Sequence, residues 1–284
     1  MAEMNDRGQL LLVAGILLAV VFVGLALLVN AAIYTDNIAT RGGDSASEPL
    51  AYQAGVTDAV GELIDAENAA ADDTEGFGEI STRIEDGTEP IDDTLERNHL
   101  RRAATTNTEI TDSSEGWLIR QNETDSFENW QANATGVRGF VIDIDTDAMA
   151  PADPPFVIDL NETQLEVNRT SGEIVVEGGT EEIECSVPVP ADGTVRFDVT
   201  GERLDGEPCR FGWPEFDDDS DIALQNGMNG AGQYELTIES DEDPRPIAHE
   251  TTAAVYSVVI DVRIETPELR YETTVRVAPG EPDV

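Results

Sequence analysis

The chemistry open to this chain of 284 residues rests on few side chains: two cysteines, Cys185 and Cys209, and two histidines, His99 and His249. Histidine alone changes charge between pH 5 and 8 without help from its surroundings, and a His-based general base would have to be one of those two. His99 lies in Arg97-Asn98-His99-Leu100-Arg101-Arg102, the setting of an exposed helix residue. There is no glycine-rich phosphate loop, no G-x-S-x-G elbow and no H-E-x-x-H pair. Paired carboxylates can hydrolyse glycosides, but among 59 acidic residues such pairs arise by chance. Asp217-Asp218-Asp219-Ser220-Asp221 offers oxygen ligands to a hard cation. It lacks the twelve-residue EF-hand pattern, and reads as a solvated loop. The expectation is no catalytic residue, no metal site and no cofactor, hence no enzyme.

Two further sets of residues carry covalent chemistry. An isolated cysteine pair outside the reducing cytoplasm tends to oxidise, and a Cys185–Cys209 bond would close a loop of roughly 25 residues and add around 3 kcal/mol. Two unrelated free thiols stay open as the alternative, since spacing does not show that the sulfurs meet. Asn122, Asn133, Asn161 and Asn168 each head an N-x-S/T sequon, the acceptor pattern for N-glycosylation. Such acceptors are useful only outside the cytoplasm, which favours an external C-terminal part.

What must position these residues begins with Leu10 to Val29, twenty residues without a charged or strongly polar side chain. As a helix it would be about 30 Å long, the thickness of a bilayer's hydrocarbon core. A buried soluble helix would show a polar stripe, and this run is apolar all round. A cleaved signal peptide, cut near Val29-Asn30-Ala31 or Ala32, is the competing reading, but its apolar core would span about 7–15 residues. The expectation is a retained transmembrane helix in contact with membrane lipid. Arg7 and Arg41 flank the run evenly, so charge bias does not orient it.

The net charge of -43 comes from 59 acidic residues against 16 basic ones, all arginine. A domain so acidic repels itself unless molar salt shortens the Debye length to about 3 Å. The composition is that of an extreme halophile. It also argues against nucleic acid as a partner, because phosphate binding needs clustered Lys or Arg. An acidic disordered chain would need lower hydrophobicity than the 40% present.

Beyond a linker around Arg41-Gly42-Gly43, the apolar residues Tyr52, Val56, Val60, Leu63 and Ile64 recur every three or four positions. They predict a helix over 48–71 that opens at Pro49. A second helix is expected over 91–106, with Ile91, Leu95 and Leu100 on its apolar side. From Trp117 the period becomes two, and runs at 137–144, 156–160, 164–168, 173–177, 182–187, 194–200, 233–239, 253–265 and 269–277 read as strands. The last two form a hairpin at Thr266-Pro267-Glu268, with Tyr256, Val258, Ile260, Val262 and Ile264 on one face.

The expected fold class is α+β: one N-terminal transmembrane helix, a short helical region, then a mainly antiparallel, β-sandwich-like extracellular domain. The expected boundaries are 1–9 leader, 10–33 transmembrane helix, 34–49 juxtamembrane linker, 50–112 helical region, 113–278 β-rich domain and 279–284 tail.

Arg7-Gly8-Gln9 directly before the apolar run resembles the class III signal of archaeal type IV pilin-like proteins. In that family a membrane-embedded peptidase cuts between positions matching Gly8 and Gln9, and the helix stays as anchor and filament core. Val13 stands where many bacterial pilins have Glu, and the Ser-Pro pair of haloarchaeal major pilins is missing. With DRGQLLLVAG, NAAIYTDN and AVYSVVIDVRIETPELRYETTVRVAPGEP, the chain resembles a family of uncharacterised haloarchaeal single-span surface proteins. The resemblance implies a single-pass cell-membrane protein whose C-terminal domain is extracellular. It would serve as a pilin-like or minor pilus-assembly subunit with pilus or cell-surface proteins as partners. The alternative is an anchored extracellular binding module for S-layer, glycan or a partner protein that does not polymerise.

Overall fold

β-Branched runs separated by Pro, Asp, Asn and Gly pair with their neighbours in sequence wherever a short turn allows it, and the smaller of two sheets is built largely this way. The computed structural model describes residues 49–100, 104–179, 183–191, 193–244 and 250–282. Contacts divide the chain into two units, Met1–Ala54 and Gly55–Val284, and the description below concerns the second. Two helices, α1 (residues 49–70) and α2 (Phe77–Leu100), precede fourteen strands among the described residues. Every pairing is antiparallel.

In chain order the strands are β1 (Thr105–Ser126), β2 (Trp130–Asn133), β3 (Gly136–Asp145), β4 (Phe156–Leu160), β5 (Thr163–Arg169), β6 (Glu173–Gly178) and β7 (Ile183–Pro188). β8 (Thr194–Asp198), β9 (Arg203–Leu204), β10 (Glu207–Pro208), β11 (Asp221–Gln225), β12 (Ala231–Glu239), β13 (Glu250–Glu265) and β14 (Arg270–Val277) follow. The larger sheet runs β10-β9-β8-β3-β12-β1-β13-β14 and the smaller β2-β11-β4-β5-β6-β7.

The last hairpin explains itself from sequence. β13 and β14 pair from Glu265↔Arg270 back to Val258↔Val277, and the turn closes when Thr266 N–H donates to the Leu269 carbonyl at 2.7 Å. Tyr256, Val258, Ile260, Val262 and Ile264 are all buried. From Thr251 to Val258, however, every residue of β13 is buried. Such a stretch needs cover on both faces, and α1 supplies part of it. Where the pairing of β1 with β13 shifts register between Ser114 and Glu115, the Val255 peptide groups turn to Asn68 instead. Asn68 Nδ2 donates to the Val255 carbonyl and its Oδ1 accepts from the Val255 N–H, both at 2.9 Å. Unpaired buried peptide groups are costly, so this one side chain makes the irregularity affordable.

The helices differ from expectation in their second half. α2 starts at Phe77, not near 91, although Gly78, Gly87 and Pro90 argue against helix there. Its start is set by Glu79, whose carboxylate accepts from the Gly76 N–H at 3.2 Å, and its buried face is Ile80, Ile84 and Thr88. Leu100, expected on the apolar side, is exposed. The helix-to-strand change comes at Thr105, so residues 105–112, expected within the helical region, are strand, and the strands begin twelve residues before Trp117. In that stretch Thr106 and Thr108 take the buried positions, and a two-residue period carried by threonine is inconspicuous.

The two sheets meet through aromatic rings. Phe127, between β1 and β2, lies 4.9 Å from Phe156 of β4 and 5.8 Å from Tyr234 of β12, centroid to centroid. The Trp130 indole N–H of β2 donates to the Tyr234 hydroxyl at 3.0 Å. At the far edge of both sheets Cys185 of β7 and Cys209, directly after β10, are joined as a disulfide with Cα atoms 5.7 Å apart. The bond therefore links the end strands of the two sheets.

Candidate functional site

The most elaborate arrangement of side chains surrounds Tyr256. Its ring is wholly buried and lies beneath two guanidinium groups, those of Arg138 at 5.8 Å and Arg276 at 5.6 Å from the ring centre. Its fit depends on two glycines: a Cβ on Gly136 would come within 2.6 Å of the phenol oxygen, and one on Gly116 within 2.9 Å of the tyrosine Cβ. The hydroxyl donates to Glu281 at 2.8 Å. Burial first, then the Glu281 carboxylate, hold the phenol in its neutral form far above its ordinary pKa.

The C-terminal residues are drawn in by the same group. Arg138 donates to the Pro279 carbonyl at 3.0 Å, to the Val255 carbonyl at 3.2 Å and to Asp65 of α1 at 2.8 Å. Gly139 N–H donates to the Gly280 carbonyl. Glu281 forms an ion pair with Arg276, and Arg276 also reaches Glu239 at 3.8 Å. Residues 279–282, expected as a tail, are thereby fastened across the start of β3.

Against this fastened segment stands the loop between β10 and β11, and between them opens a cleft of about 400 Å³. Trp213, Pro214 and Phe216 form one wall; Thr135, Glu281 and Pro282 contribute to the other. Although the loop has no regular structure, it is held along its length. Cys209 is bonded to Cys185, and its N–H donates to the Glu202 carbonyl at 2.7 Å. Gly212 N–H donates to the Glu202 carboxylate at 2.8 Å. Phe211 is fully buried, 6.2 Å from Trp213, which in turn lies 5.8 Å from Phe216. Asn161 Nδ2 donates to the Glu215 carbonyl, and Ser220 closes a turn with Asp217. Two half-exposed aromatic rings are thus presented on a rigid support.

The acidic run at 217–221 forms that turn. The Asp217 carboxylate accepts from Asp219 N–H and from the Ser220 hydroxyl, and Asp217 N–H donates to Ser220 Oγ. Among the described residues no three His, Cys, Asp or Glu side chains are grouped to hold a metal ion. His99 ends α2, where its carbonyl accepts from Ala104 N–H, while His249 lies outside the described residues.

The sequon asparagines are scattered over both sheets. Asn122 is exposed, donates to Glu250 at 2.8 Å and lines a separate polar hollow of about 240 Å³; Asn133 is exposed at the end of β2. Asn161 occupies the β4–β5 turn with a positive φ of 57°. Asn168 is committed twice, as its side chain accepts from the Ala152 N–H and donates to the Ala152 carbonyl. Arg7, Gly8, Gln9 and the run Leu10–Val29 lie outside the described residues. Among the described residues no helix is long and apolar enough to cross a membrane.

The model of one protein family, described as a family of unknown function (DUF7261), matches residues 4–146. The chain belongs to this family. The DUF7261 match covers the apolar run, both helices and β1–β3, and ends before either cysteine and before the Trp213 loop. No curated protein and no solved structure matches the chain.

The cleft is faintly marked in the sequence. Its signal was the spacing Phe211, Trp213, Phe216, three aromatics in six residues of a chain that is 6% aromatic. Thr135 and Glu281 carry no such mark, because only folding brings residues so far apart in sequence to the same place.

Proposed function

We propose that the chain is a membrane-anchored cell-surface protein of a halophilic archaeon, with the β-rich part outside and the run Leu10–Val29 as the anchor. The observation that carries this reading is the twenty-residue apolar run placed directly behind Arg7-Gly8-Gln9. The Cys185–Cys209 bond supports it, because disulfides persist in oxidising surroundings. So does the charge of -43, which calls for high salt. In its pilin-like form, as a minor subunit of a pilus assembly, the chain is cut between Gly8 and Gln9 and the apolar helix packs with others. Mass spectrometry of the mature N-terminus from native membranes tests this: Gln9 is the terminus expected. An intact Met1, or a terminus at Ala32, would overturn the pilin-like processing, and Ala32 would overturn the anchor as well.

A second reading, an anchored binding module that does not polymerise, is favoured by one feature. The cleft at Trp213 is recessed and lined by aromatic and polar groups, as small-ligand sites are, whereas subunit contacts favour broad surfaces. Filaments sheared from cells that carry the chain with them would decide for the pilin-like form. A chain released only by detergent, as a monomer, would decide for the module.

A further inference from the structure

The geometry points to the cleft between the Trp213 loop and the C-terminal segment as a binding site for a neutral saccharide, stacked on Trp213 and Phe216. This deepens the binding-module reading and rests on it for its place on the cell surface, but not for its chemistry.

The size fits first. A volume of about 400 Å³ lies within the range of about 300–1,000 Å³ found for small-molecule sites, and accepts a sugar ring with part of a second. The wall then selects by shape and polarity. Trp213 and Phe216 are half-exposed and line the cleft, with Pro214 beside them. An aromatic face carries negative charge density, and the C–H bonds on one side of a pyranose present a flat, weakly positive surface to it. Trp213 is half-exposed at the cleft wall, and its indole N–H is a donor that a ligand hydroxyl can meet.

The opposite wall separates a neutral ligand from a charged one. Glu281 uses both carboxylate oxygens on Arg276 and one also on the Tyr256 hydroxyl. Its charge is answered by the guanidinium, yet of about four acceptor positions one is left for a ligand hydroxyl. Thr135 donates weakly to the Glu239 carbonyl at 3.4 Å, and its oxygen can still accept. An anion finds no cation among the described residues that line the cleft, and it meets a protein of net charge -43. A quaternary cation would want the aromatic faces together with an uncompensated carboxylate, and here the carboxylate is already paired. Aromatic side chains, compensated acceptors and an indole N–H donor together suit a polyhydroxylated neutral ring.

Preorganisation supports the same conclusion. Tethers at Cys209, Gly212, Phe211, Glu215 and Asp217 hold the loop before any ligand arrives, so little ordering cost falls on binding.

The test is calorimetric titration of the detergent-solubilised full chain, in molar NaCl, with neutral methyl hexosides, maltose and cellobiose. Tetramethylammonium chloride and inorganic phosphate serve as counter-probes. At least one neutral sugar is expected to bind in the millimolar range, and Trp213→Ala should weaken it by about tenfold or more, as for an aromatic anchor at a binding centre. Trp213→Phe should retain part of the affinity, and Thr135→Ala, exposed and outside the core, should weaken binding without touching the loop. If Trp213→Ala loses its near-ultraviolet circular dichroism, the Trp213→Phe and Thr135→Ala pair carries the test. Three outcomes overturn the proposal: no sugar bound by the folded wild type, sugar binding indifferent to these variants, or competition by tetramethylammonium or phosphate. Sugar binding by a chain that washes off membranes in salt would sink the anchoring reading alone. A membrane-held chain blind to every sugar would sink only this one.

Discussion

The helix-covered region of the larger sheet and the seam between the two sheets bury comparable elements by different means. At the seam, Phe127, Phe156, Tyr234 and Trp130 pack ring against ring, with one hydrogen bond between the Trp130 indole and the Tyr234 hydroxyl. Under the helices, the contact is directional: Asn68 holds the Val255 peptide groups, Arg138 joins Asp65, Val255 and Pro279, and Ser81 meets Ser113 at 3.1 Å. Apolar packing scales with area and tolerates small shifts, whereas a hydrogen-bonded side chain is satisfied in one register only. The seam therefore supplies cohesion, and the polar contacts specify where α1 and the C-terminal segment sit. Arg83 does similar work between the helices, with ion pairs to Glu67 at 2.6 Å and Glu75 at 2.7 Å.

If that division holds, the largest effect should come from the seam. Phe156→Ala removes a fully buried ring from the centre of the cluster and should cost about 3–5 kcal/mol, measured by chemical denaturation. A loss below about 1 kcal/mol would mean that the rings are not what joins the sheets.

The next effect belongs to the edge where the sheets are linked covalently. Replacing Cys185 and Cys209 together by alanine should lower stability by about 2–4 kcal/mol, because the bond closes a loop with a sequence separation of 24. The open edge should also free the Trp213 loop, so amide exchange at Gly212 is expected to rise more than at Val255. Equal change at both sites would show that the bond acts on the unfolded chain alone.

Arg138→Ala tests the directional side. Its side chain is 3% exposed while its partner Asp65 is 57% exposed, so the mutation leaves no stranded buried carboxylate. The expected cost is about 2–3 kcal/mol, from the carbonyls of Val255 and Pro279 that lose a charged donor. Asp65→Asn should cost less than about 1 kcal/mol, since an exposed partner is screened by water. Proteolysis near residue 279 should increase in Arg138→Ala and not in Phe156→Ala.

Alkali should act on both regions at once. Burial, the main cause, raises the Tyr234 phenol to about 12, and Tyr256 is raised in the same direction. Above the unfolded pKa near 10 the unfolded chain loses these protons while the native state keeps them, so the unfolded state binds fewer protons and stability falls as pH rises. The loss should develop between about pH 10 and pH 12, and Tyr234→Phe should flatten part of it. Denaturation midpoints independent of pH across that window would place both hydroxyls in water.

Much of the strand pattern was legible from local signals. The runs at 137–144, 156–160, 173–177 and 269–277 fall within one or two residues of β3, β4, β6 and β14, because aliphatic alternation and turn residues act over short distances. The start of β1 was not legible. Residues 105–116 are mostly Thr, Asp, Ser and Glu, and they become strand because the long β13 pairs their backbone from Thr105↔Glu265 to Gly116↔Ala254. The first half of α2 was hidden by Gly78, Gly87 and Pro90, whose local cost is overridden by burial of Ile80 and Ile84 against the sheet.

By itself the sequence settled what depends on composition and on neighbours: a strongly acidic chain, a twenty-residue apolar run, two helices and then alternating strands ending in the Thr266-Pro267-Glu268 hairpin. Tertiary structure alone decided which distant residues meet. Cys185 lies on one edge strand and Cys209 beside another, Asn68 answers a register shift at Val255, and Glu281 and Thr135 face Trp213 across a cleft. The reason is physical. Periodicity reports which face of an element is apolar, but the pairing of faces and edges far apart in sequence is set by packing and hydrogen-bond satisfaction over the whole domain.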